Sequence, residues 1–195
     1  FNHNTPNNQL ESYQNAKISI LIQFLDLPYF NPRDLLIQTH ETEDEESEMF
    51  LSNVVKNFPD NLIVKFIKIL VHKIPDNQII QEIFTLSKDH QNSNLLIIAI
   101  QHQKFKTIQK ILDLKIIDVN QPSQYQTTPL HLALLSITNN VNYPHLLFML
   151  LKEPTLNLST IIYYNENTIS HWCAKGLSPY CVDILRYMVQ NNLLD

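Results

Sequence analysis

His171, Cys173, Cys181 and Asp183 fall within one short stretch. They are the types that nucleophilic catalysis uses: a thiol, a base to take its proton, and a carboxylate to orient the base. Their spacing argues against that use. Residues at i and i+2 of a helix point apart, so His171 and Cys173 diverge. A thiol facing apolar neighbours keeps its proton and is inert. The same divergence, with no evident fourth ligand, argues against zinc on His171, Cys173 and Cys181. No G-x-G-x-x-G, P-loop, G-x-S-x-G or H-E-x-x-H pattern occurs. Gly176 is the one glycine of the chain, so no glycine-rich phosphate cradle can form. The expectation is no catalytic residue, no cofactor, no metal and no enzyme activity.

The 195 residues suit one compact domain or a short repeat array. Apolar residues make up 44%, enough for a core, and the net charge of -5 gives no footprint for nucleic acid. Two cysteines near each other in sequence build no disulfide framework, which favours a reducing compartment. No apolar run approaches the ~20 residues that span a bilayer. The run ISILIQFL (18–25) is broken by Gln23 and lacks a basic leader, so it is not read as a signal peptide. The first residue is Phe1 rather than Met, which suggests a trimmed N-terminus. Abundant Asn, Ile and Lys beside scarce Gly and Arg point to coding by an AT-rich genome.

Prolines divide the chain into short segments, and most of these carry apolar residues at i, i+3 and i+4. FLSNVVKNF, LIVKFIKILVHKI, NQIIQEIFTL, NLLIIAI, TIQKILDL, HLLFMLLK and CVDILRYMV all follow this helical pattern. LSTIIYY (158–164) is the best strand candidate. The acidic run ETEDEESE (41–48) reads as a solvated loop, and residues 1–9 as a polar tail. Lys65, Lys68, His72 and Lys73 share one helix face and read as solvated.

The strongest signal is TTPLHLALL (127–135). The Thr128 hydroxyl can cap a helix, Pro129 suits its first position, and Leu130, Ala133 and Leu134 form one apolar face. The pattern returns as Thr168-Ile169-Ser170-His171-Trp172-Cys173, 40 residues after Thr128. It is anticipated at Asn94-Leu95-Leu96-Ile97-Ile98-Ala99, 34 residues before Thr128. Each match is followed by a second amphipathic segment, as expected of a helical repeat.

This pattern resembles the ankyrin repeat family, carried by DVNQPSQYQTTPLHLALL (118–135) and NENTISHWCAKG…VDILRYMV (165–189). The resemblance implies an all-α solenoid of three to four helix–turn–helix repeats over 94–195. Residues 61–93 would be a degenerate repeat, with NLIVKF as first helix and QIIQEIF as second, or capping helices. Residues 1–60 would form an irregular helical N-terminal region with the acidic loop 41–48. Loop glycines of the family are replaced here by Asn92, Gln126 and Glu166. Gln and Glu tolerate left-handed geometry poorly, so these loops are expected to deviate from the standard hairpin. Extra residues fall at 136–145 and 157–167. His131 and His171 take the place of a histidine that bonds backbone in the adjoining loop.

By resemblance the chain is a non-catalytic protein–protein interaction module. Its contact positions would be His90, Gln91, Ser93, Gln101 and His102 in the first repeat, and Gln124, Tyr125, Thr127, Leu135 and Ser136 in the second. In the third they would be Tyr164, Asn165, Asn167 and Lys175. Tyr125 and Tyr164 are the expected anchors, because aromatic residues dominate hot spots. The expected partner is a protein, with the chain itself a monomer, without nucleic acid or a membrane span. Array and base bias together resemble a secreted effector of an intracellular bacterium, acting on a host protein. The location would then be cytoplasmic, or the host cell cytoplasm. A second reading starts from FPDNLIVKFIKIL (58–70), which resembles the start of an F-box. It implies the substrate-recognition part of a ubiquitin ligase, or of a larger enzyme whose catalytic domain lies outside this chain. The chain ends at NNLLD without a polar capping repeat, which predicts a continuation or a covering partner.

Overall fold

The computed structural model describes residues 6–36, 38–39, 48–89, 91–139, 144–158, 168–174 and 180–193. The fold is all-α: among the described residues there are ten α-helices, one 3-10 turn and one antiparallel ladder of two-residue strands. That ladder pairs β1 (Gln38–Thr39) with β2 (Glu48–Met49), so Glu48, expected in the acidic loop, sits in a strand. The remainder of that loop and nearly all of the strand candidate 158–164 lie outside the described residues. Two compact units emerge, residues 1–117 and 118–195.

In the first unit α1 (Pro6–Phe24) begins inside the expected polar tail, so residues 6–9 are helical. α1 packs on α3 (Asp60–Lys73), burying Ile18 and Leu25. The Lys73 ammonium pairs with the Asp26 carboxylate just beyond α1. The 3-10 turn Pro32–Leu36 packs on α2 (Phe50–Asn57) and α4 (Asn77–Leu86). Arg33 grips Glu82 of α4 through Nε and Nη2, the latter at 2.8 Å. That hydrogen bond, with the guanidinium charge, holds the Glu82 carboxyl below its ordinary range.

The centre of this unit is two stacked helical hairpins. α2 lies on α5 (Leu95–Gln101), α3 lies on α6 (Phe105–Leu114), and α5 pairs with α6. α3 is therefore the second helix of a pair with α2, whereas the sequence suggested a first helix paired with α4. The stacking is locked at the helix starts. Asp60 accepts from the Lys106 and Thr107 amides, each at 2.8 Å, and from the Thr107 hydroxyl at 2.6 Å. These are two of the α6 amides that have no partner within the helix. Lys104 Nζ donates to the Phe58 carbonyl at 2.7 Å. α5 is apolar all round: six consecutive residues, Leu95 to Ile100, are buried. A helix so surrounded is an inner layer, held by packing rather than by propensity.

In the second unit α7 (Pro129–Asn139) pairs with α8 (Pro144–Leu151), and α9 (Ile169–Ala174) pairs with α10 (Cys181–Gln190). The two pairs meet at an edge-on contact of Phe148 and Tyr187, ring centroids 5.5 Å apart. The loops ahead of the pairs are joined by the Asn120 amide group. Its Nδ2 donates to the Thr155 carbonyl at 2.8 Å, and its Oδ1 accepts from the Asn157 amide at 2.7 Å.

Three helices begin with a side-chain cap. Asp76 accepts from Gln78 and Ile79, Asn94 accepts from Ile97 at 2.9 Å, and Thr128 accepts from His131 at 3.2 Å. Each side chain satisfies a donor that the helix itself leaves open.

Candidate functional site

The two loops that precede α5 and α7 are the same object built twice. In the first unit the Asp89 amide donates to the Ser93 carbonyl (3.2 Å) and the Asn92 amide to the Asp89 carbonyl (2.9 Å). In the second unit, 34 residues later, the Ser123 amide donates to Thr127 (3.0 Å) and the Gln126 amide to Ser123 (3.0 Å). This is a three-residue hairpin loop: a turn followed by a left-handed residue, the position where glycine is usual. Asn92 (φ 54°) and Gln126 (φ 59°) take that conformation. The expected deviation from the hairpin does not occur at these two loops. Glu166, the third such position, lies outside the described residues.

Side chains fix each turn from behind. Asp89 Oδ1 accepts from the amides of Gln91 (2.9 Å) and Ser93 (2.8 Å), while Ser123 Oγ accepts from Tyr125 (3.3 Å). These short polar side chains imitate a backbone turn.

At the second tip Tyr125 is 61% exposed and Gln124 is exposed beside it. Thr127 is half-buried. On α7 Leu135 is 41% exposed and Ser136 is half-buried, its hydroxyl donating to the Leu132 carbonyl at 2.7 Å. At the first tip Gln91 is half-buried, and at the end of α5 Gln101 and His102 are exposed. Ser93 differs from the expectation. It is fully buried, because its amide and carbonyl close the turn on Asp89, so its side chain is not presented at the surface. His90, Tyr164, Asn165, Asn167 and Lys175 lie outside the described residues.

His171, Cys173, Asp183 and His131 differ in burial and in partners. Cys173 is buried and its thiol is pushed up to about 12, by burial first and then by the charge and hydrogen bond of Cys181. It therefore holds its proton at neutral pH. His171 is exposed, with Nδ1 2.8 Å from the Thr168 hydroxyl. Asp183 pairs with Arg186 at 2.8 Å on the surface of α10. His131, in the matching position of α7, is buried, and burial lowers its tendency to take a proton. The two histidines that the repeat pattern equates thus sit in opposite environments. Among the described residues no group of three or more His, Cys, Asp or Glu could hold a metal ion. Nor is any helix among them long and apolar enough to cross a membrane.

The segment 58–70 forms the start of α3, with Leu62, Ile63, Phe66, Ile67 and Leu70 all buried inside the first unit. Its apolar face is spent on the chain's own core. Of the basic residues on α3, Lys65, Lys68, His72 and Lys73 are exposed, and Lys73 is paired with Asp26.

Comparison of the chain with protein-family models, with curated proteins and with solved structures returns no match.

Proposed function

We propose that the chain is a non-catalytic protein-recognition module built of ankyrin-type helix pairs, and that it contacts its partner through its turn tips and the adjoining helix surface. The observation that carries this reading is the loop 123–127, a turn braced from behind that presents Tyr125 and Gln124 outward. A hydrogen-bonded turn is pre-formed for binding, which lowers the ordering cost, and exposed aromatic residues dominate the energetics of interfaces. The 34-residue return of the same turn and the stacking of α2 on α5 and of α3 on α6 support the repeat reading. The protonated Cys173 and the scattered His171 and Asp183 favour binding over chemistry.

The test is quantitative capture of cellular proteins on the full chain, beside Tyr125→Ala and Gln124→Ala. Both residues are exposed, so circular dichroism and melting temperature should be unchanged. A partner retained by the wild type and weakened at least about tenfold by Tyr125→Ala supports the assignment. A partner bound equally by the wild type and both variants removes the loop from the interface.

A further inference from the structure

A groove of about 300 Å³ runs along the first unit between α1 and α2. On the side of α3, α1 is packed, and Ile18 and, just after the helix, Leu25 are buried. Ile20 and Leu21 form one wall, and Phe50, Val54 and Phe58 the other. Lys17 stands one turn from Ile20 and Leu21 and lines the same groove, as does Asn53; among the described residues that line it there is no carboxylate. The Lys17 ammonium is held 4.6 Å above the Tyr13 ring, which restrains a side chain that would otherwise wander. Ile20 is 64% exposed, although it is large and apolar, in a position where burial would stabilise it.

An apolar trough with one cation along it is complementary to a molecule with an apolar body and a single anionic end. We propose that this groove binds an aliphatic monocarboxylate, the carboxylate paired with Lys17 and the chain lying between Leu21, Val54 and Phe58. The volume of about 300 Å³ holds about ten non-hydrogen atoms at ~30 Å³ each, close to the size of a medium-chain fatty acid such as decanoate, whose ten carbons and two oxygens fill the open groove to its mouth. This site lies wholly on α1, α2 and the residue after α2. It is independent of the recognition loops, so either assignment can fail without the other.

The experiment uses the full chain with methyl-labelled Ile, Leu and Val, titrated with decanoate and, separately, with 1-decanol. Saturable shifts at the Ile20, Leu21 and Val54 methyls are expected with decanoate, with contacts from its chain to Val54. Decanol should bind more weakly, and Lys17→Gln should weaken decanoate by about fivefold, as for an exposed ion pair, while leaving decanol unchanged. Leu21→Trp fills the trough and should abolish both. No saturable binding overturns the proposal. So does equal binding of the acid and the alcohol, or indifference of decanoate to Lys17→Gln in a variant that melts like the wild type. Shifts spread over the surface without saturation would identify detergent-like adsorption and would equally overturn it.

Discussion

Among the described residues, five other than glycine hold positive φ: Asn92, Gln103, Lys115, Gln126 and Asn192. A left-handed residue with a Cβ costs roughly 1–2 kcal/mol, less for Asn. Gln103, Lys115 and Gln126 therefore carry the larger penalty; of these Lys115 ends α6 and Gln126 closes the second hairpin loop. Lys115→Gly and Gln126→Gly should each stabilise by about 1 kcal/mol, raising the melting temperature by about 2–4 °C for a chain of this size. Gln126→Val should lower it, since a β-branched residue fits that conformation worst. His131 gives a pH signature. Its folded form stays neutral below the ordinary value, so the unfolded chain binds the extra proton first. This contribution to stability is intact above about pH 6.5 and is lost as the pH falls below it. Denaturant melts at pH 7.5 and pH 5.5 should show a drop that His131→Gln reduces. At this scale the sequence was readable where a side chain acts locally: Asn94 and Thr128 cap their helices as the pattern suggests. It misled at Ser93, because closure of the turn on Asp89 is a backbone event that no residue type announces.

At the scale of elements, helix positions were legible and partnerships were not. The i, i+3, i+4 pattern marks α2, α3, α4, α5, α6, α8 and α10. It does not say that α2 lies on α5, because α2 follows an acidic run and its N-cap, Met49, makes no side-chain hydrogen bond. Without a capping signal the α2–α3 pair bears no likeness to the TPLH pattern, and α4 falls where a partner of α3 was expected. The link that orders the stack is Asp60, which reaches 46 and 47 residues ahead to cap α6. Losing such a cap costs about 0.5–2 kcal/mol, and the Thr107 hydroxyl adds a third bond to the same carboxylate. Asp60→Ala should therefore destabilise by about 2 kcal/mol. A double-mutant cycle with Thr107→Ala should return a coupling of about 0.5 kcal/mol or more. An additive result would mean that the two groups do not cooperate in solution.

For the whole molecule, residues 1–117 contain two complete helical pairs, with α1, α4 and the 3-10 turn packed around them. That length is ordinary for an independent domain. A fragment ending at Ile117 should remain helical and melt cooperatively, as followed by circular dichroism. A broad, non-cooperative melt would show that the core of this unit is incomplete without residues 118–195. The all-α class was readable from the periodicity of many short segments. The division after Ile117 was not, because it depends on which faces meet and no break in composition marks it.

The burial of α5 has a consequence outside the native state. Residues 95–100 read LLIIAI, with Asn94 before and Gln101 after: uncharged, rich in β-branched residues, and free of proline and glycine. Released from the stack, such a segment has the composition that self-assembles into cross-β fibrils. The nearest charges that could restrain it are Asp89 before and Lys104 after. A peptide of residues 94–101 should form thioflavin-positive fibrils, and Ile98→Lys should prevent them. In the intact chain this buried helix is therefore also an aggregation hazard, and conditions that loosen α2 from α5 should limit solubility before they abolish helicity.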